Sequence, residues 1–354
     1  MSSADVISHF LGQPAPVIPL IEAQRLASTY FGLNVAAKQL SGERDCNFHL
    51  KDDQGDEFVL KVIHSGEDRL VTDFQSKALV HIADVDPTLP TPRLIKPIKT
   101  HGYEAERLLS DQSVQRIRCV TYLSGKPLRQ TQPSREQYRA VGSLLAKLDL
   151  ALVDFRHPAQ NHDLLWDLKR ADRVSSLLAA LPDTNRRSLS EQALRRFATD
   201  VMPIIPQLRS QVIHNDFNPH NILAAEERDQ EIVGIIDFGD MVWAPLVQDL
   251  ATAAAYQISP NGHPLEGPAE MIAAFHAVSP LLAIEVKLLP QLIATRMALT
   301  IAISSWRASR YPENADYLMR NQASIWRGFE RLNSIPPEEA GSHIANRIGM
   351  ELPS

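Results

Sequence analysis

The sequence predicts an α+β protein in two lobes: a small antiparallel sheet with one main helix, then a larger, mostly helical part. Three observations carry this reading. Short β-prone runs crowd the first 125 residues, and long stretches of helical spacing fill most of the remainder. One polar segment, VIHNDFNPHNIL from Val212 to Leu223, interrupts the helical part between apolar flanks. The expected boundaries are 1–125 for the sheet-rich lobe, 126–333 for the helical lobe and 334–354 for a loosely held tail containing Pro336, Pro337 and Gly341.

In chain order, PLIEAQRLASTYFGL spaces its apolar residues as a helix and stops near Gly32. VAAKQL, NFHLKD and EFVLKVIH follow as strands, the last two separated by the turn residues DDQG. Between Gly66 and Ala83 a helical period returns, with Leu70, Phe74, Ala78, Leu79 and Ile82 on one face. Prolines at 87, 90, 92 and 97 mark a loop entering another strand, and YEAERLL and VQRIRCVTYL read as two more. SGKPL is the break between lobes. SREQYRAVGSLLAKLDLAL then opens on a Ser-x-x-Gln cap, and LLWDLKRADRVSSLLAAL and LSEQALRRFATDVMPII continue as helices. QVIH, NILAA and EIVGIID are short strands, and helix dominates beyond Val247.

Composition narrows the partners. A 44% apolar and 22% charged chain of net charge −6 gives no reason to expect nucleic acid or an anionic membrane. Two cysteines, Cys46 and Cys119, make no disulfide framework, so a reduced cytoplasm is expected. MSSADVISHFLGQPAP lacks the basic-then-apolar order of a secretory leader. The long apolar stretch from Leu281 is broken by Glu285, Lys287, Pro290 and Arg296, which suits a buried helix better than a membrane span. The sequence carries no reading of oligomeric state.

The chemistry sits in the polar segment. His214-Asn215-Asp216 is followed by four residues and Asn221, and Asp237-Phe238-Gly239 comes sixteen residues after that. This order matches the H-x-D-x4-N and D-F-G pair of phosphoryl-transfer enzymes. Asp216 would be the base that takes a proton from an attacking hydroxyl, and Asn221 and Asp237 would supply the oxygen ligands that a hard ion such as Mg2+ requires. His214 would brace the loop. A metallohydrolase using His214, Asp216 and His220 is the competing arrangement, but it leaves the small lobe without a role. In that lobe Lys61, after two strands and before a helix, suits nucleotide phosphates. The loop LSGERDCNF holds Ser41 and Gly42, whose backbone could cradle an anion. The following helix should offer Lys61 a partner, with Asp73 and Gln75 as candidates.

SGERDCNFHL, FVLKV, VIHNDFNPHNIL and GIIDFGDMV together resemble the aminoglycoside phosphotransferase and choline kinase superfamily over roughly residues 20–330, and ERDCNF and IDFGDM are most similar to its hydroxylysine kinase branch. The resemblance implies a bilobal protein-kinase-like fold that phosphorylates small molecules. It carries the base role onto Asp216, metal roles onto Asn221 and Asp237, and phosphate contact onto Lys61. It also implies that the backbone of Thr121, Tyr122 and Leu123 receives the nucleotide base, and that ATP or GTP is the co-substrate, since that branch uses GTP. The glycine triplet and the helix glutamate of the family pattern are missing. A hydroxylated amine or hydroxy amino acid is the expected acceptor, with Asp240, Trp243, Trp166 and Asp167 as candidate contacts for its ammonium. Asp249 is expected to brace or cap, and Arg296 to find an acid partner or, alternatively, to bind a substrate carboxylate. A nucleotide-binding pseudokinase is the alternative, or an aminoglycoside, homoserine or choline-type kinase.

Overall fold

A computed structural model describes residues 17–42, 45–312, 315–319 and 322–352. The stretch read for a leader and residues Glu43 and Arg44 lie outside the described residues. The chain forms two compact units. One is Met1–Ser124 with His157–Ala159 and Gly234–Ile236; the other is Gly125–Arg156, Gln160–Val233 and Asp237–Ser354.

The first unit opens with helix α1 (Leu20–Phe31), which ends where Gly32 turns left-handed at φ 70. Its sheet comprises β1 (Val35–Leu40), β2 (Cys46–Asp52), β3 (Glu57–Val62), β4 (Leu94–Ile95), β5 (Glu104–Leu108) and β6 (Val114–Thr121). The order is β1-β2-β3-β6-β4, with β5 also on β6, and the pairings are antiparallel. Alternation fixes the register: Cys46, Phe48 and Leu50 of β2 turn to the core, where they meet Leu60, Val62, Ile117, Leu26 and Phe31. Helix α2 (Arg69–Val85) is capped by Asp68, which accepts from the Leu70 amide at 2.8 Å. A buried arginine fastens α2 to the sheet. Arg118 of β6 donates to Glu104 (2.6 Å), to the Thr72 carbonyl (2.6 Å) and to Gln75 (3.2 Å).

The second unit begins at β7 (Lys126–Pro127) and α3 (Arg135–Leu152). Ser134 caps α3 as its sequence suggests, accepting from Gln137 N at 3.1 Å. Only half of the capping box forms, because the Gln137 amide donates to Thr131 and to the Asp229 carbonyl instead. The run expected as a regular helix after Trp166 is a 3-10 helix, Leu168–Ala180, kinked at Arg170. α4 (Thr184–Arg196) runs into a π turn at Phe197–Val201. Four short strands follow: β8 (Ser210–Ile213), β9 (Ile222–Ala224), β10 (Ile232–Ile235) and β11 (Val242–Pro245), arranged as β10-β9-β7 and β11-β8. Then come α5 (Leu246–Ala255), α6 (Glu266–Val278), α7 (Ala283–Arg310), α8 (Ala315–Leu318), α9 (Gln322–Asn333) and α10 (Pro337–Ile348).

α7 is the axis of this unit. By length and composition it could cross a membrane, yet 83% of its most apolar window is buried inside the protein, and Glu285, Arg296 and Arg307 are buried along it. The C-terminal segment corrects the expectation of a loose tail. Pro337 stands in the first turn of α10, where a missing N–H costs nothing, so the prolines start a helix here. Ala340, Ile344 and Ala345 are buried, and Arg347 reaches Glu270 on α6, which also holds Arg135 (2.7 Å) and Arg139 (2.9 Å).

α3 and α6 cross so closely that a Cβ on Gly142 would stand 2.0 Å from the Met271 carbonyl oxygen. Gly142→Ala is therefore expected to cost about 2–3 kcal/mol through overpacking, despite the ~1 kcal/mol better helix propensity of alanine. A lowered urea midpoint at unchanged slope measures it; an unchanged midpoint contradicts the close crossing.

Candidate active site

The loop between β8 and β9 carries His214 to Asn221. Its path is set by one carboxylate. Asp249, in the first turn of α5 and 0% exposed, accepts from the His214 amide and the Asn215 amide, each at 2.8 Å. Asn215 sits between them at φ 63, a left-handed conformation that asparagine tolerates better than a bulkier residue would. His214 is fully buried, with edge-on contacts to Phe217 and Phe238, and its Nδ1 accepts from Asp216 N at 3.3 Å. It braces the loop. Among the described residues no cluster of three His, Cys, Asp or Glu side chains could hold a metal, so the His214–Asp216–His220 arrangement finds no support.

Asp216 is the centre of the site. Arg296 of α7, 1% exposed, donates to Asp216 Oδ1 at 3.1 Å, and Asn221 donates to Oδ2 at 2.7 Å. Burial pushes the carboxyl up to about 6; Arg296 and the amides of Asn218 and Asn221 pull against that, while the nearby charge of Asp237 adds to it. One-fifth of the Asp216 side chain stays exposed, so the carboxylate is open to one side. Arg296 also donates to the Trp166 carbonyl at 3.1 Å, lies 5.4 Å from the centre of the Trp166 ring, and is drawn to Tyr256 and Asp240. It is the acid-seeking arginine of the sequence reading, and its acid is the candidate base itself.

Asp237 adopts φ 62 and ψ 73 at the head of a single 3-10 turn, Phe238–Asp240, and is exposed. Asn221 points its amide nitrogen at Asp216, so its carbonyl oxygen faces away from the base. The Asn221 and Asp237 oxygens suit a hard divalent ion, which commonly takes one or two protein ligands and completes its shell with phosphate and water.

The candidates for the acceptor separate clearly. Asp240 is half-buried and acts electrostatically on Arg296, the partner of Asp216. Trp166 walls the arginine. Trp243 lies on β11 opposite Val212, stacked under Arg156 at 4.5 Å. Asp167 is a correction: it is 0% exposed, caps the 3-10 helix and pairs with Lys169 at 2.7 Å, so it is closed to a substrate. A cavity of about 230 Å³ lies in the same unit, lined by Pro219 and His220 of the loop, Tyr256, Arg129 and Gln137 among others.

In the first unit, Lys61 stands on β3 opposite Asn47 and Arg118. The carboxylate beside it is not on α2. It is Asp45, from the loop before β2, at 3.3 Å. Burial opposes the charge on Asp45, but Lys61 and the His64 amide outweigh it and hold this carboxyl below its ordinary range. Of the two expected partners, Asp73 is engaged by Lys77 (2.7 Å) and His157 (3.0 Å), and Gln75 accepts from Arg118. Ser41 and Gly42 are exposed in the same loop. A Cβ on Gly42 would meet the Asp45 carbonyl at 2.3 Å, which explains the single glycine retained there. Thr121 N donates to the Arg93 carbonyl and Tyr122 N to the Glu57 carbonyl, while Leu123 follows half-buried.

Sequence reasoning missed the Asp45 pairing, the Arg118 anchor, and Asp149, a buried carboxyl on α3. Arg118 and Asp149 are charged residues within a strand-like or apolar run, and that contradiction was the available signal; Asp45 lies in a polar loop, where the letters give none. Because Asp216 and Arg296 share a largely dry site, Arg296→Met leaves an uncompensated charge. The expected loss is about 3–5 kcal/mol of stability, read by chemical denaturation. A loss below about 1 kcal/mol is the value for an exposed pair and would contradict the buried one.

Comparison with known proteins gives the same picture. The chain is 28% identical to a hydroxylysine kinase of Mus musculus over 342 residues, 90% of each chain, and 26% identical to that of Bos taurus over 90% of each. Among solved structures, amicoumacin kinase hAmiN in complex with AMP-PNP, Ca2+ and Ami superposes with TM-score 0.65 at 11% identity, over 89% of this chain and 95% of that one. A microcompartment-associated aminopropanol kinase gives TM-score 0.58 at 15% identity, over 93% and 95%. These structures share the fold. Matched over residues 36–281, the chain belongs to the phosphotransferase enzyme family.

Proposed function

We propose that this chain transfers the γ-phosphoryl group of ATP or GTP to the hydroxyl of a hydroxylysine-like amino acid or amino alcohol, with magnesium as the metal. The observation that carries the reading is Asp216, gripped by Arg296 and Asn221 in a loop of this family. The acceptor class is supported by relatives named hydroxylysine kinase that align with 90% of the chain.

Asp216 accepts the proton of the attacking hydroxyl as the new O–P bond forms and the bond from the γ-phosphorus to the bridging oxygen breaks, releasing ADP or GDP. Arg296 fixes the orientation of that carboxylate and favours its charged form. Asn221 and Asp237 offer oxygens to the metal, which when bound neutralises charge on the phosphates. Lys61 is assigned to the nucleotide phosphates and the Leu123 amide to the base, since those of Thr121 and Tyr122 are engaged within the sheet unit. Asp240 is assigned to the acceptor's ammonium and the cavity beside His220 to its remaining length. The two buried, free cysteines are compatible with a reducing cytoplasm as the place of action.

The test is phosphoryl transfer from ATP or GTP, with Mg2+, to a panel of hydroxylysine, aminopropanol, choline and an aminoglycoside. Hydroxylysine is expected to give the highest kcat/KM. Asp216→Asn is expected to lower kcat by about 10²–10⁴-fold while nucleotide still raises the melting temperature. Equal turnover by the variant, or transfer to none of the panel, overturns the reading.

A further inference from the structure

Asp149 lies on α3 within the apolar run LLAKLDLAL and is 1% exposed. Asp249, on α5, is 0% exposed and already accepts two loop amides. The two carboxyl groups act on one another, and both Asp149 side-chain oxygens are buried with no hydrogen-bond partner among the groups of the described residues. Two buried carboxylates repel and only accept, so an Asp149 without any donor is held beside Asp249 at least cost if one proton is shared between them. The surroundings decide where it resides. Asp249 receives two N–H groups and lies in the field of Arg296, both of which favour its charge. Asp149 has only Asp249 before its carboxyl; Gln211 of β8 reaches its backbone carbonyl at 2.6 Å and leaves the side chain alone.

We propose that Asp149 is a positioning residue of the catalytic loop: it is kept as a neutral acid that donates to Asp249, fixing the carboxylate that holds the His214 and Asn215 amides. Its effect on turnover rests on the reading of Asp216 as the base, whereas its effect on the loop does not. Burial first, and then the negative charge of Asp249, raise the Asp149 carboxyl well above its ordinary range, which agrees with this placement of the proton. The folded chain therefore binds a proton that the unfolded chain releases near pH ~4. Stability falls as pH rises above that value, until the buried group itself ionises.

Asp149→Asn keeps a donor that does not titrate, and Asp149→Leu removes the donor. Amide hydrogen exchange over residues 214–216 is measured with kinase kinetics. Asp149→Leu is expected to exchange in the loop about tenfold faster. It is also expected to lower kcat about tenfold or more, with the nucleotide KM unchanged, as for a small misplacement of the base. Asp149→Asn is expected to restore both, and its stability relative to wild type should improve steadily from pH 5 to about 8, because the proton-linked slope is gone. The proposal is overturned if the asparagine variant exchanges as fast as the leucine variant, or if the leucine variant exchanges like wild type. Should the leucine variant not fold, the stability–pH slope decides: parallel slopes for wild type and Asp149→Asn overturn it. If wild type phosphorylates no acceptor, the kinase reading fails while exchange and slope still judge Asp149.

Discussion

Two backbone amides ending on one carboxylate set the geometry of the site. Asp249 captures the His214 and Asn215 N–H groups, and everything after them in the loop follows. Asn215 is thereby held at φ 63, and Asp237 adopts φ 62. Left-handed backbone costs roughly 1–2 kcal/mol for a residue with a Cβ. Charge-assisted bonds from buried amides are strong enough to offset such a cost. The strained positions are the neighbour of the candidate base and a candidate metal ligand, so the conformational cost falls where direction matters. A relaxed turn at either place would aim the side chains elsewhere.

Charge is distributed by the same logic. Arg296 is all but sealed from water while Asp216 stays one-fifth exposed; removing either partner would be severe, and the carboxyl is pushed up to about 6. Asp45 is about as exposed as Asp216, but Lys61, one-quarter exposed, and the His64 amide outweigh its burial and hold its carboxyl below the ordinary range. The first arrangement suits a group that must take a proton. The second suits a cation that must stay charged and extended until an anion arrives. Glu270 shows the purely structural version, one carboxylate gathering three arginines from α3 and α10.

Much of this was legible in the letters because the relevant spacings are local. His214 to Asn221 lie in one loop, and the strands on either side announce themselves by short apolar runs. The alternation in β2 and the helical period of α2 likewise read directly, since each depends on neighbours within a few positions. What the letters did not show is what the chain brings together from afar. Asp45 meets Lys61 across a strand pair, and Arg118 reaches from β6 to α2. The kink at Arg170 and the docking of α10 follow from tertiary packing that local propensity does not see. Asp167 was read as open to ligand because its cap and its lysine depend on a turn that sequence alone leaves undefined.

The counter-cation of Asp216 lies eighty positions further along the chain. Translation delivers the loop first and α7 long afterwards. Until that helix has left the ribosome and packed, the carboxylate lacks the guanidinium that orients it. A nascent or prematurely terminated chain thus carries the whole motif without the guanidinium that holds its carboxylate. For anyone transplanting the loop onto another scaffold, the twelve letters are incomplete without a distant arginine.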